Sequence, residues 1–160
     1  MNVAIIQQPK LRLITARSAK FPQGNQAAFR SIESHLETLK GRRFYGLVFE
    51  GEDNIEYLAG LVPENEIEER RFSEMGFSIT EVEGGTCARL KIVDWASKTD
   101  QIGPSFGSMI ERFGIDTSRP QMEYYRSLSE LHLLLPIQSS DRSDGGDSDS
   151  QAEQVAAGDP

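Results

Sequence analysis

An α+β fold built from two β-α-β-β halves follows from three observations. Strand-like apolar runs and a helix-spaced apolar stripe come in the order strand, helix, hairpin. That order occurs twice, and each round closes on a proline, Pro63 and then Pro136. A shift of 73 residues also lays Gly41 on Gly114 and Glu50 on Glu123, but such identities are few, so the repeated order carries the argument. The expected architecture is a curved antiparallel sheet with two helices on one face and a groove on the other, its duplicated halves related by a pseudo-twofold. Repeat one spans about 3–63 and repeat two about 77–137, inside a domain of residues 1–138, with a tail over 139–160.

The elements follow in chain order. "VAIIQQPKLRLITARSA" is rich in β-type residues and reads as a strand interrupted at Pro9. "FPQGNQ" has turn chemistry and offers Asn25 as an N-cap. Phe29, Ile32, Leu36 and Leu39 then recur at helical spacing, and Lys40 before Gly41 is a stop signal. "RFYGLVFE" and "EYLAGLVP" form a hairpin around "GEDN". The acidic "ENEIEERRFSEM", read as a short helix or turn, bridges to a new strand. After a Gly-Gly turn, "GGTCARLKIVDW" is the first strand of the second round. Asp100 is the expected cap of a helix whose apolar face is Ile102, Phe106, Met109, Ile110 and Phe113, ended by Gly114. "QMEYYRS" and "ELHLLLPI" make the closing hairpin.

Composition limits the function. The segment "SSDRSDGGDSDSQAEQVAAGDP" has no apolar periodicity and too little apolar surface to offset its ordering entropy, so it reads as a disordered acidic tail. From Asp141 onward it holds six acidic residues and one arginine, which leaves about −3 of the net charge of −8 in the body. With no basic stripe, and Arg42-Arg43 too small a patch, direct nucleic-acid binding lacks its electrostatic basis. The single cysteine, Cys87, excludes an intrachain disulfide and a cysteine-cluster metal site, and its apolar surroundings make it a small core residue. His35 and His132 have no ligand-spaced companions, and the Gly-Gly pieces lack the setting of a phosphate cradle. No metal and no cofactor are expected. A secretory n-region and h-region are lacking, and no run approaches the ~20 apolar residues of a spanning helix, so a cytoplasmic protein without membrane contact is expected.

Alternation along "QMEYY" puts Glu123 and Tyr125 on one face and Met122 and Tyr124 on the other. Met122 and Tyr124 suit a helix-covered side, which leaves Glu123 and Tyr125 pointing into the groove, a common kind of ligand site. This layout, the segment "YGLVFEGEDNIEYLAGLVP", and Pro120-x-x-Glu123-x-Tyr125 followed by "LHLLLPI" resemble the GyrI-like small-molecule-binding domain. That is the effector-binding domain of MerR- and AraC-type transcription regulators, found also in stand-alone form. The resemblance spans residues 2–137. It implies a pocket between the halves for lipophilic, often cationic aromatic molecules, a form of multidrug binding, with Glu123 as the central acidic contact and Tyr125 beside it. Many members have a His/Tyr-x-Gly stretch where this chain reads "VDWASKTDQIG", and Trp95 is expected to fill that space. The regulators carry a helix-turn-helix domain upstream; nothing precedes Met1, so a form with no DNA-binding domain is expected.

Glu123 is thus the leading ligand-binding candidate. A carboxylate walled by rings is only partly solvated, gains most by pairing with a cation, and has its pKa pushed upward while the site is empty. Tyr125, Trp95, Tyr57, Phe49 and Tyr45 are the candidate rings, although each singly also fits a packing role. Glu50, beside the "GEDN" turn, is a weaker candidate. The leading reading is a module that senses or sequesters a cationic aromatic compound. The alternative is a hydrolase of reactive cyclopropane-bearing genotoxins, the activity of some stand-alone members, with Glu123 as general base and Tyr125 as hydrogen-bond donor. A third reading, a protein partner such as gyrase, rests on the family's namesake activity and on an acidic surface competing with nucleic acid.

Overall fold

A computed structural model describes residues 2–139, so the expected acidic tail lies, apart from Ser139, outside the described residues. Eight strands form one open antiparallel sheet: β1 (Val3–Gln8), β2 (Leu11–Arg17), β3 (Phe44–Glu50), β4 (Ile55–Leu61), β5 (Ser78–Val82), β6 (Gly85–Val93), β7 (Gln121–Tyr125) and β8 (Glu130–Pro136). Their order is β1-β6-β8-β7-β3-β4-β2-β5. Helices α1 (Asn25–Glu33), α2 (Glu66–Glu74) and α3 (Ile102–Phe113) accompany them. This is the expected α+β fold with an antiparallel sheet, carrying one helix more than the two that were expected to pack on it. None of the helices is long and apolar enough to cross a membrane.

Pro9 cannot donate to a ladder, and it divides the first segment into two strands with different partners. β1 pairs with β6, while β2 lies between β4 and β5. At the centre of the sheet β3 pairs with β7, with Leu47 opposite Met122, Gly46 opposite Glu123 and Val48 opposite Gln121. Glu50, the expected mate of Glu123, ends β3 opposite Ile55 of β4.

Two helix boundaries differ from expectation. α1 stops at Glu33 instead of reaching Leu39, which is 47 % exposed. Ser31 and Ser34 donate their hydroxyls to the carbonyls of Ala28 and Ser31, and such local bonds compete with helical propagation. The chain leaves through tighter turns, His35 N to Ile32 O and Leu36 N to Glu33 O. At the helix starts, Gly24 rather than Asn25 is the N-cap of α1, and Asp100 falls in a 3-10 turn before α3; neither helix has a side-chain cap. α2 does: Asn65 accepts from Glu68 N at 2.9 Å.

All three helices cover the same face. Ala28 and Ile32 of α1 and Phe72 of α2 pack on Ile14, Ala59 and Leu61; Phe106 and Met109 of α3 pack on Ala88, Leu131 and Leu133. The other face has no helix, yet it is not open. Ile6, Leu13, Tyr45, Leu47, Val82, Cys87, Met122 and Leu134 form one cluster there, each at most 8 % exposed. Burial pushes the Cys87 thiol up to about 11, as befits a core residue. Ile6 and Val82 come from strands at opposite edges, so the sheet curls until its edges share one core. The links after β1 and β5 touch where it closes: a Cβ on Gly84 would lie 2.5 Å from Gln8 O.

The helix-free face is therefore a filled core, and the groove expected there is replaced by packed side chains. The faces of the last hairpin are reversed accordingly. Met122 and Tyr124 point into the curled core, and Glu123 and Tyr125 lie on the helix side. Truncating Leu47 to alanine should cost about 2–5 kcal/mol in denaturant unfolding. A solvated groove position would lose no more than about 0.5 kcal/mol, and that result would restore the open-face arrangement.

Candidate ligand-binding site

Strand register brings a carboxylate over an empty place in the sheet. Glu123 lies opposite Gly46 on one side and Leu133 on the other. Glu123 and Tyr57 occupy the room that Gly46 leaves: a Cβ there would lie 1.9 Å from the Tyr57 hydroxyl and 2.8 Å from Glu123 Oε1. A glycine inside a strand marks this kind of close approach.

Two phenols hold the carboxylate. Tyr57 from β4 and Tyr125 from β7 each donate to Glu123 Oε1 at 2.7 Å. No donor among the described residues bonds Oε2, and no cation pairs with the group, although Glu123 is only 6 % exposed. Burial pushes its pKa above the usual carboxylate range, against the two hydrogen bonds that favour the ionised form. Burial, and then the charge of Glu123, push both tyrosines well above their ordinary value, so they stay protonated as donors.

Rings from three elements close over this centre. Phe29 of α1 meets Tyr125 edge-on at 5.4 Å and Tyr57 at 6.2 Å. Phe21, in the loop before α1, meets Tyr57 at 5.8 Å. Trp95 meets Tyr125 at 5.0 Å from a 3-10 turn that follows Asp94 in the left-handed conformation. Its indole donates to Ser127 O at 3.2 Å, which ties the turn to the β7–β8 link.

Of the expected ligand-binding residues, Glu123, Tyr125, Trp95 and Tyr57 are brought together. Tyr45 and Phe49 are not: strand alternation sends both to the helix-free face, where Tyr45 stacks on Tyr124 at 4.7 Å. Glu50 is exposed at the end of β3, reached by Gln121 Nε2 at 3.4 Å. Sequence reasoning missed Phe29, assigned only to helix core, together with Phe21 and Gly46. The glycine within "YGLVFE" was the available signal for the last of these. His132 pairs with Glu130 on the helix-free side and His35 packs on Phe72 and Phe77. Among the described residues no group of three His, Cys, Asp or Glu could hold a metal ion.

Two surface hollows are prominent, and neither is lined by Glu123. One, of about 390 Å³, lies between Arg17, Lys20, Phe21 and Asn54; the other, of about 540 Å³, lies beside α2 at Arg12, Glu69 and Arg70.

No protein-family model and no curated protein sequence matches the chain. Solved structures match it as folds. The structure of SAV2435 bound to tetraphenylphosphonium shares 11% identity at a TM-score of 0.65, over 89% of this chain and 98% of that one. An integron cassette protein from the mobile metagenome of Vibrio cholerae shares 10% identity at 0.61, over 86% and 97%. A hydrolase from Listeria innocua shares 16% identity at 0.55, over 86% and 92%. At these identities the likeness is one of fold, the fold that the resemblance to GyrI-like domains implies.

Two predictions follow from this geometry. Gly46→Ala should cost about 1–3 kcal/mol and drive Tyr57 off the carboxylate; unchanged stability would show that the contact is not there. Because the folded pKa of Glu123 is raised, the folded state holds more protons than the unfolded one between the two pKa values, and stability falls as pH rises through that window. The penalty is absent in acid and fully present above the folded pKa. Glu123→Gln should therefore melt higher than wild type near pH 8, with the gap closing near pH 4. A gap independent of pH would contradict the raised pKa.

Proposed function

We propose that the protein binds a lipophilic aromatic cation for sensing or sequestration, with Glu123 as the counter-ion. One observation carries this reading: a buried carboxylate, fixed by two phenols, with no cation partner and no donor to its second oxygen among the described residues. A buried charge is ordinarily paired or neutralised, and a lone one is costly. A cationic ligand would supply the missing partner. Phe29 and Trp95 pack edge-on against Tyr125 and are partly exposed, so they are the rings that part to admit it. In contact with the ligand, each would add cation–π attraction of about 0.5–2 kcal/mol. Walls of rings constrain shape loosely while the single carboxylate selects charge, which is the chemistry of a multidrug site. A similar fold bound to tetraphenylphosphonium supports this assignment.

A hydrolase reading uses the same groups, with Glu123 Oε2 activating water and Tyr125 polarising a strained electrophile. The fold shared with a Listeria innocua hydrolase favours it. It ranks second because that likeness of fold alone favours it. A gyrase-type protein partner is the remaining reading, and the acidic segment it draws on lies outside the described residues.

Calorimetric titration with tetraphenylphosphonium and with neutral triphenylphosphine oxide separates these readings. Glu123→Gln should weaken the cation tenfold or more and the neutral compound less than about threefold. Equal losses for both would remove the counter-ion role.

A further inference from the structure

The two oxygens of the Glu123 carboxylate are not equivalent. Both phenols bond the same one: Tyr57 and Tyr125 each donate to Oε1 at 2.7 Å, and a Cβ on Gly46 would lie 2.8 Å from that oxygen. With two donors already, Oε1 has no lone-pair direction left for a third. Oε2 has no donor among the described residues and is not fully enclosed. It keeps its accepting capacity and some contact with solvent.

Two donors in this neighbourhood are committed elsewhere. Strand alternation puts Gln121 on the face of Glu123, but its Nε2 is turned to Glu50 Oε1 at 3.4 Å. Trp95, whose ring meets that of Tyr125 at 5.0 Å, donates its indole N–H to Ser127 O at 3.2 Å. Leu133, opposite Glu123 in β8, and Phe29, edge-on to both tyrosines, offer hydrocarbon only. An ionised acceptor in such surroundings gains most from a donor that carries its own positive charge.

Cations differ in whether they can supply that donor. A protonated amine brings its nitrogen to about 2.8 Å from a carboxylate oxygen and joins a hydrogen bond to the charge. A quaternary onium centre is wrapped in carbon, has no N–H, and stays roughly 4 Å away at van der Waals contact. Coulomb attraction weakens over that difference. We infer that the natural ligand is a lipophilic aromatic amine bound in its protonated form, with its N–H directed at Glu123 Oε2. This rests on the cation reading of Glu123 and narrows it. Tyr57 and Tyr125 are then positioning residues: by holding Oε1 they leave Oε2 as the acceptor for the ligand. Quaternary onium ions occupy the same site by charge and ring contact alone.

The test compares (2-naphthylmethyl)dimethylammonium with (2-naphthylmethyl)trimethylammonium. They share the ring and, near pH 7, the charge, and differ in an N–H replaced by a methyl. Wild type should bind the dimethyl compound about tenfold or more tighter, the scale of one charge-assisted hydrogen bond. Glu123→Gln should weaken both compounds and shrink the gap between them to about threefold or less. Equal or weaker binding of the dimethyl compound, with binding of the trimethyl compound still dependent on Glu123, would overturn the N–H class alone. A gap that persists undiminished in Glu123→Gln would assign the preference to the bulk of the extra methyl and overturn that class equally. Failure of wild type to bind either compound, or indifference of both to Glu123→Gln, would overturn the cation reading and this inference with it.

Discussion

The contact on which the site depends is the Glu123 carboxylate lying over Gly46, with Tyr57 and Tyr125 both donating to one of its oxygens. Each partner comes from a different constraint. The β3–β7 register puts the carboxylate opposite the glycine. The β3–β4 register puts Tyr57, opposite Val48, on the same face. Strand alternation within β7 supplies Tyr125. A one-residue slip in any of these pairings would turn the corresponding side chain to the other face of the sheet.

That face is available because the sheet buries its other side without helices. Curling brings Ile6 and Val82, from opposite edges, into one core with Leu47 and Met122. The helices then gather on the remaining side, and α1 and the turn before α3 bring Phe29 and Trp95 edge-on against Tyr125. The cost is a largely buried carboxylate with hydrogen bonds but no counter-ion among the described residues. Such local violations of good packing energetics are typical of functional positions.

Much of this was legible in the sequence. Periodicity and turn chemistry identified the strands, the hairpins and α3, and the Pro120-x-x-Glu123-x-Tyr125 stretch pointed to the carboxylate and one of its phenols. What period-two alternation cannot supply is which of its two faces meets the helices. Glu123 looked out of place beneath helices, and Met122 looked at home there. The curl inverts that, since it offers Met122 a core of its own. For the same reason the candidate rings of the first hairpin were not told apart by face: Tyr57 shares the face of Glu123, and Tyr45 and Phe49 do not. Phe29 was hidden for another reason, because a residue at helical spacing reads as core even when its ring lies over a site. The end of α1 depended on serine hydroxyls bonding back to helical carbonyls, a competition that apolar spacing does not register.

The central claim is that Glu123 is a buried carboxylate awaiting a cation. A carbon-13 NMR titration of its carboxyl, without and with tetraphenylphosphonium, tests that most directly. The structure requires a midpoint above the ordinary glutamate range in the free protein, because burial outweighs the two phenol hydrogen bonds. Binding and ionisation at one site are linked, so the bound cation must pull the midpoint down and release protons when it binds near the free-protein pKa. An ordinary midpoint that does not move when tetraphenylphosphonium is added would contradict the counter-ion account.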